Sequence, residues 1–239
     1  MKPDSDDGQI RNHNVVLALL SFAAGFTDVL TFLGLGDLFT SAMTGNVALL
    51  AIAIGRWQLT AASRSAAALA GFALGVVLAA AVAKSLGAPG DHRRVLRRLM
   101  LIELAFLLAC TAVWSGNAGS VQGGAFYVIV VLSAVSMGVQ AVAARSINEA
   151  GISTIVFTSG LISILTSATH AVAASPHAGG ASRLPGVTKP QLATFAAYAI
   201  GGAIAAFLVS RHIPGAIWVP PTAVAVALGV SERTGKGPR

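Results

Sequence analysis

The sequence predicts an all-α, polytopic integral membrane protein, and three observations predict it. Of its 239 residues 55% are hydrophobic and 10% charged, where a soluble domain carries roughly 25% charged residues to coat its surface. The mean hydropathy is +0.75. The apolar residues are gathered in blocks, each about as long as a helix needs to cross a ~30 Å hydrocarbon core.

Eight such blocks run at about 14–34, 38–55, 64–86, 98–115, 123–144, 154–174, 191–211 and 213–230. They form one membrane domain, 14–230, flanked by polar tails at 1–13 and 231–239. The breaks carry turn residues: Gly34-Leu35-Gly36-Asp37, Gly87-Ala88-Pro89-Gly90, Pro176 through Pro190, and Pro214-Gly215. Met1 to Asn14 holds Asp4, Asp6 and Asp7, unlike the positive start of a secretory signal, so the first block reads as a retained helix.

The net charge of +7 and pI near 10.5 do not point to nucleic acid, because the Lys and Arg residues lie between apolar blocks, where cytoplasmic loops collect them. If all eight blocks cross, the two sides receive nine and seven of the sixteen Lys and Arg residues. If 38–55 and 154–174 are instead re-entrant, each entering and leaving on one side, the split becomes thirteen against three. That arrangement obeys the positive-inside rule. It places both termini and Arg93, Arg94, Arg97 and Arg98 in the cytoplasm, with Arg56, Arg64 and Arg211 outside. Eight ordinary helices with poorly biased loops are the alternative. The expected fold is thus six to eight helical segments.

Two similar halves, about 14–115 and 123–230, share a plan: a long helix, a segment with a Thr-Gly or Thr-Ser element, a break, then two more helices. Three crossings per half would turn the halves over relative to each other, the inverted repeat of many secondary transporters.

Asp28 lies about halfway along the first block, where a carboxylate costs at least ~2.5–3.5 kcal/mol to insert. It reads either as an ion or proton site facing the interior or as a carboxylate satisfied by nearby donors. Met43-Thr44-Gly45-Asn46 follows a Gly-rich break, with Asp37 or Ser41 available as a helix cap. Thr44 and Asn46 supply hydrogen bonds and Gly45 lets a backbone approach, which suits either a partly unwound binding stretch or a packed polar helix start. In the second half Ser159, Ser163, Thr166 and His170 share one helix face. They line a pathway, with His170 titrating near neutral pH, or they bond to backbone and neighbouring helices. Ser133, Ser136 and Gln140 repeat the pattern, and Gln140 is the hardest of them to explain as packing. Glu103, close behind the Arg cluster, reads as a partner of Arg97 or a snorkelling group rather than a coupling site. Gly71 and Gly75, within Ala67-x-x-x-Gly71-x-x-x-Gly75-x-x-x-Ala79, form a close helix-packing face, toward this chain or toward a second copy in a homo-oligomer.

Cys110 has no second cysteine to pair with, so neither a disulfide nor a Cys-based metal site is available within one chain. No H-E-x-x-H, G-x-S-x-G or G-x-x-x-x-G-K-[ST] occurs. Neither an enzyme nor a cofactor is expected.

Gly25-Phe26-Thr27-Asp28, Phe39 with Met43-Thr44-Gly45-Asn46, and Met137-Gly138-Val139-Gln140 resemble the YoaK family, also called DUF1275, of bacterial inner-membrane proteins. The likeness covers nearly the whole chain, and its most specific part pairs the intramembrane Asp28 with Thr44-Gly45-Asn46. The second half departs from the family pattern, with Gln140-Ala141 in place of Gln-Asn and Thr158-Ser159-Gly160 in place of Thr-Gly-Thr. The resemblance implies about six spans in the cytoplasmic membrane and supplies no substrate. The functional expectation is a transporter or permease-like protein for a small solute or ion. Its polar site would lie where Asp28, Thr44-Gly45-Asn46 and the Gln140/Thr158 region meet. The competing expectation is a non-transporting subunit that docks a partner protein through the small-residue face and the Arg93 to Arg98 loop.

Overall fold

The structure, a computed structural model, describes residues 3–86, 92–117, 121–147 and 189–233. Among them every regular element is helical: α1 (Pro3–Leu35), α2 (Met43–Gly55), α3 (Leu59–Ser85), α4 (His92–Gly116), α5 (Gly123–Ile147), α6 (Lys189–Ser210) and α7 (Val219–Arg233), the last entered through a 3-10 turn at Ala216–Trp218. Five stretches are long and apolar enough to cross a membrane: 11–35, 59–85, 92–116, 123–147 and 190–210. The second expected re-entrant segment, 154–174, lies outside the described residues. The N-terminal stretch expected as a polar tail is helical from Pro3 onward.

α1 stops where Gly36 and Asp37 take positive φ (85° and 58°) and the Asp37 N–H returns to the Phe32 carbonyl at 3.0 Å. α2 has 13 residues, about 20 Å at 1.5 Å per residue, too short for a ~30 Å core. It ends when Trp57 turns left-handed (φ 55°) and the Gln58 N–H bonds the Ala53 carbonyl at 2.8 Å. α7 tolerates Pro220 and Pro221 because they fall in its first turn, where N–H groups need no helical partner.

α1 packs chiefly on α6 and α7, α3 on α5, and α4 on α5 and α7, while α2 lies against α3. The contacts at the two ends fix the directions. At one end Ser63 meets Tyr127 (2.7 Å), Thr111 donates to the Ile217 carbonyl (3.3 Å), and the Trp114 ring lies on Gly34. At the other, the Arg93 guanidinium donates to the Ser231 and Glu232 carbonyls at 3.2 and 2.8 Å. Arg93 and Thr111 are about 27 Å apart along α4, so α7 with its 3-10 turn accompanies α4 over nearly the thickness of a bilayer core. α1, α4 and α6 run one way and α3, α5 and α7 the other. α2 is inserted as a half-length helix between α1 and α3.

Two tight crossings organise the bundle, because only glycine lets helix backbones touch without a Cβ between them. A Cβ on Gly25 would strike the Tyr198 carbonyl, and one on Gly201 the Phe22 carbonyl. Likewise a Cβ on Gly138 would strike the Phe72 carbonyl, and one on Gly75 the Val135 carbonyl. In both crossings each glycine faces the residue three positions before its partner glycine. The face containing Gly71 and Gly75 is therefore filled by α5 of the same chain, which answers the open choice between an internal neighbour and a second copy.

Candidate functional site

The loop after α1 folds back into the bundle instead of continuing outward. Asp28, seven residues before the end of α1, receives it. Its Oδ1 accepts the backbone N–H groups of Thr40 and Ser41, both at 2.7 Å. Its Oδ2 accepts the Ser41 hydroxyl (2.6 Å), the Ala42 N–H (3.1 Å) and the Tyr198 hydroxyl (2.7 Å). Successive N–H groups pointing at one anion form a backbone nest, here at the residues leading into α2. Asp28 is fully buried, and about four lone-pair positions on a carboxylate serve five donors. Of the two readings of Asp28, the geometry matches the carboxylate satisfied by nearby donors.

The loop is shaped from its other side by the Thr-Gly-Asn element. The buried Asn46 amide holds both backbone groups of Phe39: Oδ1 accepts the Phe39 N–H at 3.0 Å and Nδ2 donates to the Phe39 carbonyl at 2.5 Å. The Phe39 ring stacks on Phe32 with centroids 4.9 Å apart. A Cβ on Gly45 would lie 2.8 Å from Phe39 Cδ2, so Gly45 clears the space the ring occupies. Thr31 adds a bond from its hydroxyl to the Leu38 carbonyl at 3.3 Å. The Thr40 hydroxyl is buried without a partner among the described residues.

Asp28, Gly45 and Asn46 thus act on the same loop, but several expected members do not join them. Thr44 is exposed on α2. Neither Asp37 nor Ser41 caps α2: the N-cap is Ala42, with no side-chain cap bond, because the Ser41 hydroxyl is taken by Asp28. Gln140 donates to the Leu20 carbonyl at 2.6 Å, about two turns along α1 from Asp28, and so ties α5 to α1. Thr158, Ser159, Ser163, Thr166 and His170 lie outside the described residues.

Glu103 also departs from expectation. It is completely buried, and neither carboxylate oxygen has a hydrogen-bond partner among the described residues. Arg97 pairs with Glu232 instead, at 3.1 Å between side chains 60% and 51% exposed, a surface pair worth about 0–1 kcal/mol. Arg93 caps the last carbonyls of α7, a favourable place for a cation at the negative end of a helix dipole.

The residue that sequence reasoning missed is Tyr198. It is one of two tyrosines in the chain and sits inside an apolar block, where a buried hydroxyl needs a partner. That signal was present in the sequence.

The alternating apolar helices, the half-length α2 and the buried carboxylate that anchors it define a multi-pass α-helical membrane protein. Within that class the chain belongs to the family described as "Protein of unknown function (DUF1275)", which matches residues 16–230. It is 34% identical over 153 residues to "UPF0700 transmembrane protein YoaK" of Bacillus subtilis (strain 168), a match that spans 64% of this chain and 65% of that protein. No solved structure matches the chain.

Proposed function

We propose that this protein is a transporter or permease-like protein of two inverted halves, in which a re-entrant helix of the first half is latched by Asp28, itself bonded to Tyr198 of the second. The observation that carries the reading is the half-length α2, which opens inside the bundle at the depth of Asp28 and whose preceding loop makes a nest for an anion. Discontinuous helices that start near the bilayer midplane are how many secondary transporters build their sites. The glycine crossings support the inverted halves. Exchanging α1 with α5, α3 with α6 and α4 with α7 turns the α1/α6 crossing into the α5/α3 crossing with its three-residue spacing intact. It also carries the α1/α7 packing onto that of α5 and α4, and α1 and α5 run in opposite directions.

The latch can couple to a ligand by competition. A proton or cation at the Asp28 carboxylate removes lone pairs from its donors. Those donors are the nest before α2 and Tyr198 on α6, so occupation loosens the first half from the second. The test is purified protein in liposomes, screened for solute and proton flux, alongside Asp28→Asn. Flux that disappears in Asp28→Asn with folding preserved supports the latch. Flux unchanged by the substitution refutes it.

A second reading, a non-transporting membrane subunit that docks a partner protein, is favoured by the saturation of Asp28. It gains from the apolar character of the groove at Phe22, Trp218, Val219, Thr222 and Ala223. A liposome screen without flux, together with stoichiometric co-purification of one protein from the native membrane, would replace the transport reading by this one.

A further inference from the structure

Glu103 stands near the middle of α4, and its face of that helix is otherwise Leu96, Leu99, Met100, Leu107 and Cys110, all buried. The Cys110 thiol lies 3.7 Å from the Ile129 carbonyl, which sets the antiparallel register of α4 and α5 and puts Glu103 level with Ser136. Within one turn is Ser133, whose buried hydroxyl likewise has no partner among the described residues, while the Ser136 hydroxyl is turned back to the Ser133 carbonyl. Among the described residues, the ionisable groups of the surrounding helices are engaged elsewhere or distant. Arg145 and Tyr127 are each about 13 Å from Ser136 along α5. Lys84 is in the last turn of α3, Glu232 on α7 is taken by Arg97, and Asp28 on α1 is saturated. Arg97, on the same helix, is about 9 Å away along the axis.

An ionised carboxylate without a partner is far costlier in an apolar interior than a neutral carboxyl. A glutamate whose oxygens make no hydrogen bond among the described residues also contributes no packing that Met or Leu would not supply. Unpaired acids inside membrane helices are kept for what they bind. The geometry points to Glu103 as an intramembrane proton-binding site, separate from the Asp28 anchor, on the α4/α5 seam beside Ser133 and Ser136. The ligand is a proton, carried in the packed seam described here and released when the seam admits water. This inference goes beyond the transport reading and does not depend on it, since it concerns a proton held by the protein at rest, which is read without any flux.

Infrared spectroscopy of the intact protein in lipid tests it directly. The wild type should show the C=O band of a protonated carboxyl. Glu103→Gln should lose that band and Asp28→Asn should keep it. If Glu103→Gln does not fold, Glu103→Met serves, because it removes the carboxyl and keeps the apolar volume. As pH is raised stepwise the band should disappear reversibly while helical content stays constant, which distinguishes an exchanging site from a proton locked in for structure. The assignment is overturned by a band equally present in the wild type and the Glu103 variant. It is also overturned by a band unmoved until the protein unfolds, or by one abolished by sodium at constant pH, which would make the ligand a metal cation. Since no flux is measured, a failed transport assay and a failed proton site give separate results.

Discussion

Removing the Asp28 carboxylate entirely should cost far more than neutralising it. In Asp28→Ala the hydroxyls of Ser41 and Tyr198 can rotate toward other acceptors, but the N–H groups of Thr40, Ser41 and Ala42 are fixed by the backbone and left facing a void. Each unsatisfied buried donor costs about 1–3 kcal/mol. Some of this is recovered because the carboxylate no longer has to be desolvated, and removing one partner of a buried charged network typically costs about 3–5 kcal/mol in total. In Asp28→Asn the carbonyl oxygen can still accept from Thr40 and Ser41, and the new amide can donate to the Ser41 and Tyr198 oxygens. The Ala42 N–H, the longest of the five bonds at 3.1 Å, alone loses its acceptor, for about 1–3 kcal/mol.

Thermal unfolding in detergent, followed by the fluorescence of the three tryptophans, reads the difference. At about 2–4 °C per kcal/mol for a chain of this size, Asp28→Ala should lower Tm by about 6–20 °C and Asp28→Asn by about 2–12 °C, with the alanine variant always the lower. A Tm for Asp28→Ala equal to that of the wild type would refute the nest. Equal losses in both variants would show that the charge, not the number of acceptors, holds the loop.

Other consequences can be checked alongside. Tyr198→Phe deletes one hydrogen bond to a charged group, so it should cost about 1.5–3 kcal/mol, and a double-mutant cycle with Asp28→Asn should show coupling between the two residues. Gly138→Ala drives a Cβ into the Phe72 carbonyl and should destabilise by about 1–3 kcal/mol. Gly124→Ala meets nothing within 4 Å and should be neutral or stabilising by about 0.4–1 kcal/mol; similar losses at both sites would refute the crossing. For topology, the native Cys110 is buried. Cysteines placed at Arg94 and at Trp57 should therefore be labelled from opposite sides of intact cells, Arg94 from the cytoplasm; labelling of both by an impermeant reagent from outside would contradict the alternating helices.

The membrane fold was legible because the apolar blocks are long and the charges fall between them, a pattern that survives without any knowledge of packing. The brevity of α2 was legible only indirectly, through the charge split, since 38–55 is long enough in sequence to cross; what shortens it is the Phe39 loop, held by Asn46 and Asp28 over distances of seven and more than ten residues. Asp28 stood out as a costly carboxylate, yet the identity of its donors was hidden. Three of them are backbone groups, which no side-chain pattern announces, and Tyr198 is 170 positions away. Glu103 was misread because proximity to Arg97 in sequence suggested a pair. The helix instead turns Arg97 outward to Glu232 and Glu103 inward, six residues and about 600° of helical rotation later, which is not one face.

The glycine crossings also bear on why the second half departs from the family pattern at Ala141. Matching Gly25 with Gly138 and Gly201 with Gly75 sets Asp28 against Ala141 and Tyr198 against Phe72. The pair that bonds across the halves through Oδ2, Asp28 and Tyr198, thus corresponds to a pair, Ala141 and Phe72, that can neither accept nor donate through a side chain. Either change alone would leave a buried group unpaired, a tyrosine hydroxyl without its acceptor or a carboxylate short of a donor, whereas the two together leave neither. At the equivalent crossing the whole interaction is therefore absent rather than one partner of it, and of the α1/α6 and α3/α5 glycine crossings only the first carries a buried carboxylate beside it. Under the transport reading proposed above, a proton or cation acting on Asp28 would therefore act at one crossing and not at its equivalent, and the element held there is the loop that leads into α2.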